Sequence, residues 1–325
     1  MKDKYLIFDT SITTENVGDQ IIMDAVNKQV RLLFPNDFVV RSATHDIIGK
    51  ATFQHNKESK ISFVGGTNLL FGRFLPKQMS QWKIGLMDSF KLNDVVFLGV
   101  GWGNYQEKHK LFDFLQNVKY RNLSSKKYIH SVRDEYTRQK LAEIGIDSIN
   151  TADPTMWGFT AEFLSKIPVK KAENVVTTIT DYRNDNEFKN SYEKMLQVLL
   201  NNYKVVYLWI QSTGDFDLLD SLDVNGKERI ELVAPTLSAY NNILKNDSLD
   251  YVGTRLHGGI RALQNQKRSI IIEIDNRARE IAKDTNLTTL SMKNIDSLED
   301  MICNDLKMDI QVPFKQINEW KSQFK

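Results

Sequence analysis

The chain has 325 residues, 41% of them apolar and 26% charged, with a formal charge of +2. That length exceeds what one hydrophobic core usually serves, so two domains are expected, and the ordinary composition gives no reason to invoke disorder. Near-neutral charge with no concentrated Lys/Arg run excludes an electrostatic nucleic-acid footprint.

Short β-rich runs alternate with amphipathic segments from the start of the chain. Strands are predicted at 5–8, 38–41, 61–64, 95–99 and 128–131, then at 175–180, 205–210, 230–233, 249–252 and 270–274. Helical periodicity lies between them, for example over 19–34, 134–144 and 187–200. Such alternation predicts parallel sheets with right-handed crossovers. The fold class expected is therefore α/β, with two Rossmann-like domains facing a cleft. The prolines Pro154 and Pro168 and the polar lead-in at 169–174 mark the boundary. The expected domains are 1–165 and 166–312, and a terminal helix over 313–325 packs back on the first domain. A single cysteine, Cys303, excludes an internal disulfide and points to a reducing compartment. The apolar run 5–8 is too short for a signal-peptide core, and 205–210 is too short to span a bilayer. A soluble, cytoplasmic protein is expected.

In parallel α/β sheets, ligands bind beyond the C-terminal ends of the strands, so those exits are read in order. The first carries Asn16, Gly18 and Asp19 where a loop becomes a helix. Asp19 either caps that helix or, with Asn16, lines a polar substrate site. The third exit is Gly65-Gly66-Thr67-Asn68-Leu69-Leu70-Phe71-Gly72, which is neither a dinucleotide fingerprint nor a P-loop. Its paired glycines serve either a tight turn or close backbone approach to a ligand. The fourth exit, Gly99-Val100-Gly101-Trp102-Gly103-Asn104, carries an aromatic that is either core or a platform for a sugar. The fifth presents Arg133, which either pairs with Asp134 or reaches into the cleft.

In the second half, Asp181-Tyr182-Arg183 and Gln211-Ser212-Thr213-Gly214-Asp215 are polar exits without an assigned role. The strongest signal is Gly253-Thr254-Arg255-Leu256-His257-Gly258-Gly259. Arg255 and His257, two apart in an extended turn, either face one ligand together or are the surface arginine and hydrogen-bonded histidine of an ordinary strand-to-helix turn. The helix start that follows attracts anions through its free N–H groups and its dipole. Arginine adds a fork for carboxylate or phosphate, and histidine a proton that moves near neutral pH. Arg277, after the last strong strand, is a further candidate anion ligand. His45, His55, His109 and His130 have no metal-ligand spacing, and neither a nucleophile elbow nor a kinase signature is present.

The ordered set Asn16-Val17-Gly18-Asp19, Gly65-Gly66, Gly99-Val100-Gly101, Ser131-Val132-Arg133-Asp134, Ala152-Asp153-Pro154 and Gly253-Thr254-Arg255-Leu256-His257-Gly258 resembles the polysaccharide pyruvyl transferase family. Arg277 stands where that family commonly has lysine. The resemblance implies a GT-B-like fold and transfer of an enolpyruvyl-derived group from phosphoenolpyruvate, forming a pyruvate ketal on a sugar of a cell-surface glycan or its precursor. It implies catalytic roles for His257, Arg255 and Arg133. Donor binding falls to Arg133, Arg255, His257, Gly258, Gly259 and Arg277, and acceptor binding to Asn16, Asp19, Gly65, Gly66 and Trp102. No metal and no cofactor is demanded, phosphoenolpyruvate being a co-substrate. The acceptor is nucleotide-, lipid- or polymer-linked, and a lipid carrier would bring peripheral association with the inner membrane face. Two other readings stand beside this one. They are a GT-B nucleotide-sugar glycosyltransferase, with Glu273 as its ribose carboxylate, and a non-catalytic glycan-binding protein.

Overall fold

The computed structural model describes residues 3–71, 80–92, 94–103, 105, 110–183 and 185–325; Gly72, Asn104 and His109 lie outside them. The chain divides into two compact units. Met1–Thr14, Ile22–Trp157 and Val312–Lys325 form the first; Glu15–Ile21 and Gly158–Gln311 form the second. The sequence boundaries put residues 15–21 in the first domain and cut the chain eight residues later, at 165. The difference has a physical origin: the Val17 N–H donates to the Gln211 carbonyl at 3.2 Å, tying that segment to a second-unit strand exit. Among the described residues no helix is long and apolar enough to cross a membrane.

In the first unit the strands β1 (Lys4–Asp9), β2 (Phe38–Ala43), β3 (Ile61–Gly65) and β4 (Val95–Leu98) form one parallel sheet in the order β2-β1-β3-β4. Its central strands are apolar on both faces, as a parallel sheet covered on both sides requires. Along β1, Tyr5 and Ile7 enter one core, while Leu6 and Phe8 enter the other. A single five-stranded sheet was expected here. Instead, β5 (His130–Val132) pairs with a short strand that periodicity did not reveal, β6 (Ser148–Asn150). This pair meets β4's exit through one bridge, Val100 to Val132. The helix Phe314–Ser322 brings Ile317 and Trp320 into the core that holds Tyr5 and Phe63. The Trp320 indole N–H donates to the Ile129 carbonyl at 2.9 Å.

The second unit is built on β7 (Asn174–Thr177), β8 (Val205–Trp209), β9 (Ile230–Val233), β10 (Leu249–Gly253), β11 (Ser269–Glu273) and β12 (Thr289–Ser291). All pair in parallel, in the order β12-β11-β10-β7-β8-β9. The chain winds outward from β7 to β9, then returns to β10 on β7's other side. The order therefore reverses between β7 and β10, and at such a switch point the strand exits diverge and leave room for a ligand.

Candidate functional site at the second unit's switch point

Arg255 leaves β10 directly opposite the exit of β7. Its backbone N–H donates to Thr178 Oγ1 at 3.1 Å, its Nε to the Ile179 carbonyl at 3.1 Å, and its own carbonyl accepts from the Tyr251 hydroxyl at 2.8 Å. These contacts hold the arginine as the N-cap of the helix Leu256–Gln264. Its Nη2 reaches Asp215 Oδ1 at 2.6 Å and Asp181 Oδ1 at 3.2 Å. Two carboxylates on one guanidinium leave this group with more negative than positive charge. Asp215 is wholly enclosed and also accepts from the N–H groups of Gln211 at 3.0 Å, Ser212 at 3.1 Å and Asp181 at 3.3 Å. Burial pushes its carboxyl pKa up, while Arg255 and the Gln211 N–H pull it back.

His257, 6% exposed, occupies the first turn of the same helix, followed by Gly258 and Gly259. Gly259 lies against Ile271 of β11, where a Cβ would stand 2.5 Å from Cγ1, so this glycine serves helix-to-sheet packing. Arg277 belongs to the next exit. Its Nε donates to Asp275 Oδ2 at 2.8 Å and its Nη2 to the Tyr182 hydroxyl, which itself donates to Asp275 at 3.1 Å. Burial opposes the Arg277 charge, but Asp275 and Tyr182 outweigh it and the pKa rises. The Tyr182 ring lies near both arginines, 5.8 Å from the Arg255 guanidinium carbon and 6.0 Å from that of Arg277.

Asn16 and Asp19 join the second unit's group. The Asn16 carboxamide oxygen caps the Gly18 N–H at 3.0 Å, so Asn16 takes the capping role considered for Asp19. Asp19 is 4% exposed in the first turn of the helix Gly18–Leu33, and its charge acts on Arg277. The structure thus brings together Arg255, His257, Gly258, Arg277, Asn16 and Asp19 within one unit. Asp181, Asp215, Tyr182 and Thr178 are additions. Sequence reading singled out the exits that hold Asp181, Tyr182 and Asp215, but a linear pattern does not show which strands become neighbours.

The remaining predicted residues lie in the first unit. Arg133 is wholly buried at the exit of β5, its Nε 3.3 Å from Asp134 Oδ2 and its Nη2 donating to the Asn68 carboxamide oxygen. A Cβ on Gly101 would collide with this guanidinium, which explains that glycine. Asp134 also caps the helix Glu135–Glu143, accepting from the Thr137 N–H at 2.6 Å. Gly65 and Gly66 are buried against the helix Gly18–Leu33. A Cβ on Gly65 would sit 2.7 Å from Val26, and Gly66, at φ +55°, abuts Ile22. Both positions are held to glycine by this close packing. Trp102 is corrected: 4% exposed, it meets Tyr120 edge-on at 5.9 Å inside the core, which leaves no ring face for a sugar. Among the described residues no group of His, Cys, Asp and Glu is arranged to hold a metal ion.

A family model described as polysaccharide pyruvyl transferase matches residues 16–276. The chain belongs to the polysaccharide pyruvyl transferase family. The matched stretch begins at Asn16 and ends just past β11, so it includes Arg255, His257, Asp181 and Asp215. No curated protein matches this pyruvyl transferase family member. Among solved structures it resembles UDP-GlcNAc 2-epimerase of Methanocaldococcus jannaschii, in complex with UDP-GlcNAc and UDP, at 13% identity and a TM-score of 0.54, covering 100% of this chain and 98% of that one. UDP-N-acetylglucosamine 2-epimerase from Rickettsia bellii matches at 10% identity and a TM-score of 0.52, with 100% and 94% covered. Likeness at this identity is one of fold, and the fold is of GT-B type.

Proposed function

We propose that this family member transfers an enolpyruvyl-derived group from phosphoenolpyruvate to a sugar, forming a pyruvate ketal on a glycan or glycan precursor. The observation that carries the reading is the placement of Arg255 and His257, within the matched stretch, at the switch point of the second unit's sheet. The first-turn amides of Leu256–Gln264 have no partner inside the helix and suit an oxyanion. Arg255 and Arg277 are set in place by Asp215, Asp181 and Asp275. Geometry of this kind favours orientation of a bound anion over simple charge attraction.

In the proposed reaction His257 gives a proton to C3 of phosphoenolpyruvate, and C2 becomes oxocarbenium-like. One sugar hydroxyl attacks C2 and loses its proton. Phosphate then leaves, a second hydroxyl of the same sugar closes the ring with loss of its proton, and inorganic phosphate is the co-product. The first-unit residues carry no step in this scheme. In the rival glycosyltransferase reading Glu273 would bind a ribose. That carboxylate is already engaged, accepting from Thr289 Oγ1 at 2.7 Å and from Arg279 Nε at 3.3 Å.

The test is a thermal titration with phosphoenolpyruvate, UDP and GDP, followed by phosphate release with a panel of glycans. A ligand at about 100 times its Kd adds about 2.7 kcal/mol to the folded state. Phosphoenolpyruvate is expected to raise Tm, and His257→Gln to keep that rise while losing about 10²–10⁴-fold in phosphate release. Stabilisation by UDP or GDP alone would favour the glycosyltransferase. Full turnover by His257→Gln would remove the acid role.

A further inference from the structure

The exit of β8 holds a buried amide that the scheme above leaves unused. Gln211 is 2% exposed, and its backbone is pinned at both ends: its N–H donates to Asp215 and its carbonyl accepts from Val17. Among the described residues its side-chain Nε2 has no hydrogen-bond partner. A buried amide donor left unpaired costs free energy, so its retention calls for a reason.

Two helix starts flank this amide. A Cβ built on Gly258, in the first turn of Leu256–Gln264, would stand 3.2 Å from Nε2. A Cβ on Gly18, the first residue of Gly18–Leu33, would stand 3.1 Å from Oε1. The two glycines leave the carboxamide between the N-termini of a 16-residue and a 9-residue helix. Both termini carry partial positive charge. Asp19 places a negative charge in the first turn of the longer helix, whereas the first turn of Leu256–Gln264 holds no acidic residue. Asp181 and Asp215 already offset its N-cap arginine, so an anion there would be held by the first-turn amides and the carboxamide rather than by net positive charge.

We propose that Gln211 is a ligand-contact residue: its Nε2 donates to an oxyanion held at the first turn of Leu256–Gln264. Under the pyruvyl transfer reading, on which the identity of the ligand rests, that oxyanion is the phosphate of the donor. The carboxamide then reads phosphate by a neutral donor beside the preset Arg255, and the pairing missing in the free protein is made by the ligand.

Calorimetric titration with inorganic phosphate and with phosphoenolpyruvate, in phosphate-free buffer, tests this on wild type, Gln211→Met and Gln211→Asn. Methionine keeps the length and removes the unpaired donor; asparagine keeps the amide but withdraws it by one methylene. Both are expected to lose at least tenfold in affinity for the two ligands, with the Tm of Gln211→Met equal to or above wild type. A structural role alone would give the reverse, a lowered Tm with affinity intact, and would overturn the assignment. So would wild type binding neither ligand. Phosphate binding that depends on Gln211, with phosphoenolpyruvate no tighter than phosphate, would uphold the contact and defeat the pyruvyl transfer reading separately.

Discussion

Arg133 and Arg255 both end a parallel strand, both sit beside a glycine-rich turn, and both have a carboxylate partner, yet they are held differently. Arg133 is fully enclosed with one carboxylate, its sequence neighbour Asp134, and one amide, Asn68. Arg255 keeps slight exposure and has two carboxylates, 40 and 74 residues away in sequence. The first works as a tie between the exits of β3 and β5. The second is braced from two sides at a switch point, with a helix start and a histidine next to it. An arginine at a strand exit thus marks a place in the sheet, while its role depends on which other strands lie beside it.

The largest effect that divides the two is Asp134→Ala. It leaves Arg133 buried without a carboxylate and removes a helix cap, so a loss of about 3–5 kcal/mol is expected in urea unfolding. A loss below about 1 kcal/mol would break the contrast, because Asn68 alone would then suffice.

Next comes acid. His130, in the first unit, accepts from the Phe97 N–H at Nδ1 and pairs through Nε2 with the Ser125 carbonyl, so its ring is neutral. Burial pushes its pKa down to about 4. The unfolded chain takes up a proton near pH 6.5 and the folded one does not until near pH 4. Stability from this residue is therefore complete above pH 6.5 and falls by about 3 kcal/mol as the pH drops to 4. His130→Gln should flatten that fall in pH-dependent urea melts. In the second unit Asp215 and Asp250 have raised carboxyl pKa values, with burial the leading cause in each. Their contribution has the opposite sign: it is present in acid and lost as pH rises through the folded values. Unit-specific probes, such as Trp320 and Trp209 fluorescence, should report the first unit loosening before the second as pH falls.

The smallest effect is Asp181→Ala. Asp181 is partly exposed and Arg255 retains Asp215, so about 1 kcal/mol is expected. A cost matching that of Asp134→Ala would show that Arg255 depends on Asp181 as much as on Asp215.

Much of the fold was legible because parallel strands buried on both faces read as apolar runs. The predicted 230–233 coincides with Ile230–Val233, and most other strands differ from prediction by one or two residues. The strands β6 and β12 were missed, each three residues long and largely half-buried, too short to show a period. Of the site, Arg255 and His257 were legible from a strand, a turn and glycines in one window. Asp215 and Asp181 reach Arg255 from other strands, so no local spacing encodes them. Trp102 was open between core and platform, since a tryptophan's burial depends on Tyr120 and the rest of the packed core.

The first unit is closed by a segment that follows the second unit in the chain. Ile317, Trp320 and Phe324 complete the core that contains Tyr5, Phe34 and Phe63. At roughly 5–20 residues per second, synthesis of Gly158–Gln311 takes about 8–30 s. Until residues 312–325 are made, the aromatic face at Tyr5, Phe34 and Phe63 lacks the side chains that cover it in the folded unit. The unit begun first in synthesis is thus the one supplied last with its full set of residues.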